Sequence, residues 1–329
     1  MNVQRIRLVV QFVSFVVLIY GGLFAIDLGN RLPTFACSYV PDHGGGCFLV
    51  GFQHMMSRPL PQFLGEEGLR VLKALGIASL WAIVLNKAWC GWICPFGFLQ
   101  DLLTKLRTYV AIDASRFSWV THRRYKSVKY ILLALLILIP LGIGNGLISR
   151  DWTAPYCQLC PARPLLPLFQ GDTTQFAVNF LSWPTMLLTG GAIVLVGLMF
   201  TTAFVKRRFL CSYCPMLAFL SLFDKVGLFS LKKDGAKCTR CGNCYRACPM
   251  EIREIEEEKG LKNLVTQDCI LCLRCVEACP ESRALEARFA GIPFLKADAE
   301  AFLARQEAAT GGRVSITTSP AAKRRNKTS

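Results

Sequence analysis

Residues 238–249 read Cys238-Thr239-Arg240-Cys241-Gly242-Asn243-Cys244-Tyr245-Arg246-Ala247-Cys248-Pro249, and residues 269–280 read Cys269-Ile270-Leu271-Cys272-Leu273-Arg274-Cys275-Val276-Glu277-Ala278-Cys279-Pro280. Both follow Cys-x2-Cys-x2-Cys-x3-Cys-Pro. Three closely spaced thiolates fit three corners of an iron–sulfur cube, and the fourth, one residue further on and followed by proline, reaches across to a second cube. The spacing assigns Cys238, Cys241, Cys244 and Cys279 to one [4Fe–4S] cluster, and Cys269, Cys272, Cys275 and Cys248 to another. A pair of structural zinc sites would need only a CxxC and a distant CxxC or His pair. A third cysteine, a fourth and a proline in the same register twice favour clusters.

The rest of the chain says where this two-cluster module sits. Of 329 residues, 53% are hydrophobic and 18% charged, against about 25% charged in a soluble domain; mean hydropathy is +0.37. Four apolar runs, roughly Ile6–Ile26, Leu69–Trp89, Ser127–Ile148 and Ser182–Val205, approach or exceed the ~20 residues that cross a bilayer. The expected fold is an all-α membrane bundle of four transmembrane helices, followed by an α+β two-[4Fe–4S] ferredoxin-like domain. The expected boundaries are residues 1–226 for the bundle, 227–290 for the ferredoxin-like domain, and 291–329 for an amphipathic helix and a disordered basic tail. The first run has a longer apolar core than the ~7–15 residues of a signal peptide, so it reads as a retained anchor.

The net charge is +16, and it is unevenly spread. Lys87, Lys105, Arg107, Arg116, Arg123, Arg124 and Lys126 follow the second run, and Lys206, Arg207 and Arg208 follow the fourth. The other two loops carry only Arg31 and Arg58, then Arg150 and Arg163. The positive-inside rule then puts both termini, the central loop and the ferredoxin-like domain in the cytoplasm of a bacterial inner membrane. A reducing compartment also keeps thiolates free for iron. Because the basic residues border apolar runs, nucleic acid is not the expected partner.

The remaining eight cysteines form four pairs. Cys37 and Cys47 fall in the first outer loop, and Cys157 and Cys160 in the second. Cys90 and Cys94 follow the second run, and Cys211 and Cys214 the fourth, on the inner side. Each half therefore reads run, outer pair, run, inner pair, which is a parallel two-fold repeat about the membrane normal. Such an axis gathers four cysteines at each face. The inner four are candidates for a cluster or other redox role; the outer four are candidates for a further cluster or for disulfides. Cys157-Gln158-Leu159-Cys160 also fits a redox-active dithiol.

Three histidines, His43, His54 and His122, lie outside the apolar runs, and no C-x-x-C-H is present. Haem is therefore not implied. No GxGxxG after a strand and no P-loop occurs, so flavin and NAD are not implied either. Gly44-Gly45-Gly46 reads as a flexible turn beside Cys47. A lipid-soluble quinone is the exchangeable carrier best suited to such a bundle.

The stretch Trp89-Cys90-Gly91-Trp92-Ile93-Cys94-Pro95-Phe96-Gly97-Phe98-Leu99-Gln100-Asp101 resembles the C-x3-C-P motif of NapH/MauN-type membrane proteins. That resemblance covers about residues 5–290. It implies four transmembrane helices, two cytoplasmic C-x3-C-P motifs matched here by Cys90/Cys94 and Cys211/Cys214, a C-terminal two-cluster ferredoxin domain, and oxidation of quinol with electrons passed towards a periplasmic nitrate reductase. The chain departs from the family pattern in two ways. Its second motif is C-x2-C-P, one residue short, and its outer loops carry four cysteines the pattern does not require. Both point to a separate branch with its own electron partner.

The expected function is integral membrane electron transfer between the quinone pool and redox partner proteins, periplasmic or cytoplasmic. Two alternatives have other chemistry: an assembly or regulatory factor like the CcoG-type proteins, and a transmembrane thiol reductant using the outer cysteines.

Overall fold

The computed structural model describes residues 2–21, 34–40, 44–63, 65–110, 127–203, 206–258 and 263–310. His43, His122, part of the basic central loop and the basic tail lie outside them. The N-terminal part is helical. Helix α1 (Val3–Tyr20) is followed by a short hairpin, β1 (Ser38–Val40) and β2 (Gly44–Gly46), and by α2 (Phe48–Met56). Helix α3 (Glu66–Leu85) leads through a π-helical turn, Trp89–Ile93, into α4 (Pro95–Tyr109). Then come α5 (Val128–Gly144), the short α6 (Pro155–Leu159) and α7 (Trp183–Ala203). A 3-10 turn, Phe209–Tyr213, leads into α8 (Pro215–Ser221).

Helices α1, α3 and α7 contain segments long and apolar enough to cross a membrane. Helix α5 is apolar but 17 residues long, just under the ~20 usual for a span. Large apolar side chains on these helices, such as Phe12, Leu72, Leu138 and Val194, are exposed, the pattern of helices surrounded by lipid.

The C-terminal module contains a three-stranded antiparallel sheet in the order β3 (Phe229–Lys233), β4 (Leu285–Phe289), β5 (Ile292–Lys296). Ala290 and Gly291, both at positive φ (48° and 83°), make the two-residue turn that suits the right-handed twist of a hairpin. The third strand lies beyond residue 290, so the module runs past the boundary expected from the cysteine runs. Between β3 and β4, α9 (Asn243–Ala247) and α10 (Arg274–Glu277) sit one inside each cysteine run, with a further helical turn, Glu254–Glu257, between the runs. Helix α11 (Ala299–Thr310) follows the sheet.

The module is docked on the helical part through buried polar contacts. Lys129 Nζ pairs with Asp268 at 2.6 Å, the two side chains 0% and 1% exposed. Lys87 Nζ, paired with Asp224 of the helical part at 2.6 Å, donates across to the Thr266 carbonyl at 2.7 Å. Gln4 Nε2 donates to the Cys272 carbonyl at 3.1 Å. Separating a buried ion pair would strand its charges, so these contacts favour one orientation of the module.

Candidate iron–sulfur sites

Two voids in the C-terminal module are each ringed by four cysteines. Cys238, Cys241, Cys244 and Cys279 line the first, together with Lys233, Arg240, Glu256 and Glu281. Cys248, Cys269, Cys272 and Cys275 line the second, with Leu231, Met250, Ile252 and Ile255. Each void collects three cysteines of one run and the last of the other. Charged residues stand among those around the first, whereas those around the second, apart from cysteine, are apolar. Backbone N–H groups approach thiols of this module: Leu271 N–H donates to Cys269 Sγ at 3.4 Å, and those of Met250 and Ile252 lie near the Cys248 sulfur. Burial pushes the Cys244 and Cys279 thiols up to about 11 and Cys269 to about 12. At neutral pH such thiols ionise only when a cation supplies the charge, so loading iron releases protons. Four thiols around a void, with N–H groups aimed at sulfur, fit [4Fe–4S] clusters, which supply one-electron redox chemistry when bound.

The two C-P motifs of the helical part use one device in two lengths. Cys94 (φ −58°, ψ 118°) and Cys214 (φ −69°, ψ 119°) are both extended and both precede a proline that opens a helix. Proline favours that conformation in the residue before it and suits the first helical position. In the first motif the intervening chain is a π turn, closed by Cys94 N–H to the Trp89 carbonyl at 3.0 Å. In the second it is a 3-10 turn, closed by Cys214 N–H to Cys211 at 3.3 Å. The wider π turn absorbs the extra residue of C-x3-C. The missing residue in the second motif is thus a change of turn type that keeps the Cys-Pro geometry.

A buried ion network holds the first motif in place. Asp101, 3% exposed, accepts from Arg208 Nε at 3.0 Å and Nη2 at 2.6 Å, from Arg7 Nη2 at 3.0 Å, and from Gln11 at 3.1 Å. The same donors reach the π turn: Arg208 Nη1 to the Cys90 carbonyl at 3.0 Å, and Arg7 and Gln11 to the Gly91 carbonyl at 3.3 and 3.0 Å. Burial favours the neutral acid, but the two guanidiniums outweigh it and hold Asp101 well below the usual carboxylate range. The glycines of the motif are steric. A Cβ on Gly91 would lie 2.2 Å from the Ile270 carbonyl oxygen, and one on Gly97 would lie 3.1 Å from Arg208 Nη1. Trp92 Nε1 donates to the Leu271 carbonyl at 2.9 Å. Sequence reading assigned none of these residues a role. The signal was present in the quoted motif, where Gly91, Trp92, Gly97 and Asp101 stand beside the cysteines.

All eight cysteines of the helical part line a single cavity of about 430 Å³, with Tyr156, Leu195, Leu198 and Ile270 among its walls. The pairs expected in the outer loops line it beside the pairs expected on the inner side. Packing holds both of these loop segments against the Cys-Pro turns and the helices. In the first, Phe35 packs against Trp89 at the start of the π turn (5.6 Å), and Phe48 against Phe219 of α8 (5.6 Å). In the second, Leu159 fills the space over Gly191, where a Cβ would come within 2.7 Å of it, about 12 Å along α7 from Trp183 at 1.5 Å per residue. Tyr156 Oη lies 3.8 Å from Cys214 Sγ. Hydropathy gives the side to which a loop belongs but not how deep it returns, and irregular backbone is tolerated at depth where protein buries it. The glycines expected as a flexible turn form strand β2, tied by Ser38 Oγ to the Gly46 carbonyl at 3.1 Å. No disulfide joins any of the sixteen cysteines in this structure.

A family model described as a 4Fe-4S dicluster domain matches residues 230–280, and one described as a 4Fe-4S binding domain matches residues 68–109 and 187–234. The second spans both C-P motifs. The ferredoxin-type protein NapH of Haemophilus influenzae is 25% identical over 239 residues, covering 71% of each chain. An uncharacterized protein of Methanocaldococcus jannaschii is 26% identical over 217 residues, 66% of this chain and 70% of its own. The regulatory protein NosR of Pseudomonas aeruginosa is 30% identical over 217 residues, 65% of this chain but 26% of the longer relative. No solved structure matches.

Proposed function

We propose that this chain, a membrane ferredoxin-like protein similar to NapH, carries electrons between the quinone pool and redox partner proteins along a row of clusters. It is a membrane iron–sulfur electron-transfer protein; the row and its quinone end are our reading. The first cluster, on Cys238, Cys241, Cys244 and Cys279, has the charged surroundings that suit a protein partner. The second, on Cys269, Cys272, Cys275 and Cys248, is walled by apolar side chains. The third is held by Cys90, Cys94, Cys211 and Cys214. One observation carries the order: Ile270 lines both the second void and the cavity of the membrane domain. The 2.2 Å limit at Gly91 and the Trp92 bond keep these two sites in contact.

We read α5 as the fourth span, since its neighbours α1, α3 and α7 are long enough to cross, and the two Cys-Pro turns as the mark of a two-fold repeat. Basic residues then put both termini and the ferredoxin-like module in the cytoplasm of a bacterial inner membrane. A reporter fused at Thr173 should score outside and one at the C-terminus inside. A relay that enters the bilayer meets a lipid-soluble carrier, and quinone fits: two electrons from the clusters and two protons from water convert it to quinol.

The test uses dithionite-reduced protein, freed of reductant and mixed with a quinone. Wild type should reoxidise, and a Cys90→Ser/Cys211→Ser double variant should reoxidise at least tenfold more slowly. Equal rates would overturn the row as the route.

A further inference from the structure

Cys37, Cys47, Cys157 and Cys160 line the cavity together with the two Cys-Pro pairs, and neither family model spans these four. We infer that Cys37, Cys47, Cys157 and Cys160 hold a further [4Fe–4S] cluster, embedded within the membrane domain beside the set of Cys90, Cys94, Cys211 and Cys214.

The first argument is convergence. The hairpin pairs Ser38 with Gly46, so the next residues outward, Cys37 and Cys47, stand opposite each other at its open end. Antiparallel neighbours at such a position are about 5 Å apart. The second loop brings Cys157 and Cys160 to the same cavity. Cys37 lies within electrostatic reach of Cys47, Cys157 and Cys160, and of Cys94 in the adjoining set. Cys160 feels Cys157, Cys47 and Cys214.

The second argument is local repetition. Residues 154–161 match residues 208–215 at the entry and at the Cys-Pro exit, although the first opens as an α turn and the second as a 3-10 turn. Ala154 (φ 47°, ψ 52°) and Arg208 (φ 45°, ψ 41°) are both left-handed, each three residues before the first cysteine. Cys160 N–H returns to the Cys157 carbonyl at 3.2 Å, as Cys214 does to Cys211 at 3.3 Å. Cys160 (φ −68°, ψ 125°) then matches Cys214, Cys94 and Cys248 (φ −71°, ψ 119°) ahead of proline. A left-handed alanine costs about 1 kcal/mol or more. Its presence here shows that the turn, not the residue, is what the packing requires.

The third argument is the environment of the sulfurs. Backbone N–H groups lie near these sulfurs: that of Ala162 by Cys160, and those of Leu49 and Val50 by Cys47 at the head of α2. Backbone N–H groups lie near Cys248 and Cys269 in the ferredoxin module as well, and N–H groups directed at sulfur tune a cluster. All four thiols line the cavity. Tyr156 links the two membrane sets by its contact with Cys214 Sγ.

The test is iron and acid-labile sulfide per chain in anaerobically purified full-length protein, with EPR after graded reduction. The expected wild-type value is about sixteen irons, four per cubane. A Cys37→Ser/Cys160→Ser double variant should fall to about twelve while the ferredoxin EPR signals persist, which shows that the chain still folds. A wild type of about twelve that loses iron only in the Cys90→Ser/Cys211→Ser variant overturns this site and leaves the proposed row intact. A wild type of about eight overturns both. Peptide mapping that finds Cys37 linked to Cys47 and Cys157 to Cys160 as disulfides in the purified protein also overturns it.

Discussion

The C-terminal module and the membrane domain hold eight cysteines each, but they assemble them in opposite ways. The module takes its eight from two continuous runs of twelve residues, and β-strands on either side bring the runs together. The membrane domain draws its eight from four segments spread from Cys37 to Cys214, each a pair set by one tight turn or hairpin. Both use the same unit, an extended cysteine before proline. What differs is what holds the units in register: short-range chain geometry in the module, and long-range packing with buried charge in the membrane domain. The lesson is that the second kind of site should fail through residues that touch no iron.

The largest expected effect tests the module. Cys279→Ser should remove the cluster whose other ligands are Cys238, Cys241 and Cys244, because Cys279 lines that void. EPR should lose one ferredoxin signal and keep the other. If Cys279→Ser and Cys269→Ser abolish the same signal, the crossed pairing is wrong.

Next comes Asp101→Asn, which leaves Arg7 and Arg208 without their shared carboxylate. Unpairing buried charge costs ~3–5 kcal/mol. Melting temperature should drop, and the iron assigned to Cys90, Cys94, Cys211 and Cys214 should be lost while the ferredoxin signals remain. Retention of all iron at wild-type stability would mean that the network does not position the motif.

Gly91→Ala has a smaller expected effect. Its methyl group would be forced against the Ile270 carbonyl, and overpacking of this kind costs ~1–3 kcal/mol. Iron content should be unchanged, but reoxidation of the ferredoxin clusters by quinone should slow as the two sites move apart. An unaltered rate would mean that the contact at Ile270 is not on the electron path.

Smallest is Trp92→Phe, which keeps the ring and removes the hydrogen bond to Leu271. A single bond is worth ~0.5–1.5 kcal/mol. We expect a slight drop in melting temperature and a measurable shift in the potential of the second cluster, whose loop that bond fixes. A drop as large as that of Asp101→Asn would show that the docking rests on this residue alone.

The sequence by itself determined the cysteine runs of the module, the sharing of ligands between them, the helical character of the first half and its apolar runs. These follow from spacing and hydropathy, which are local properties of the chain. It also contained the pairing of the remaining cysteines, two at a time. Only the tertiary structure decided the depth of the loops that carry them. Cys37, Cys47, Cys157 and Cys160 read as outer-face residues because hydropathy counts crossings and says nothing about a loop that folds back. Phe35 against Trp89, Leu159 over Gly191 and Tyr156 beside Cys214 bring them inward. The role of Asp101 was hidden for the same reason. A carboxylate in a helix reads as surface until Arg7, about ninety residues earlier, and Arg208, about a hundred later, are seen to close on it. Buried charge is stable only when paired, and that pairing exists only once the chain has folded.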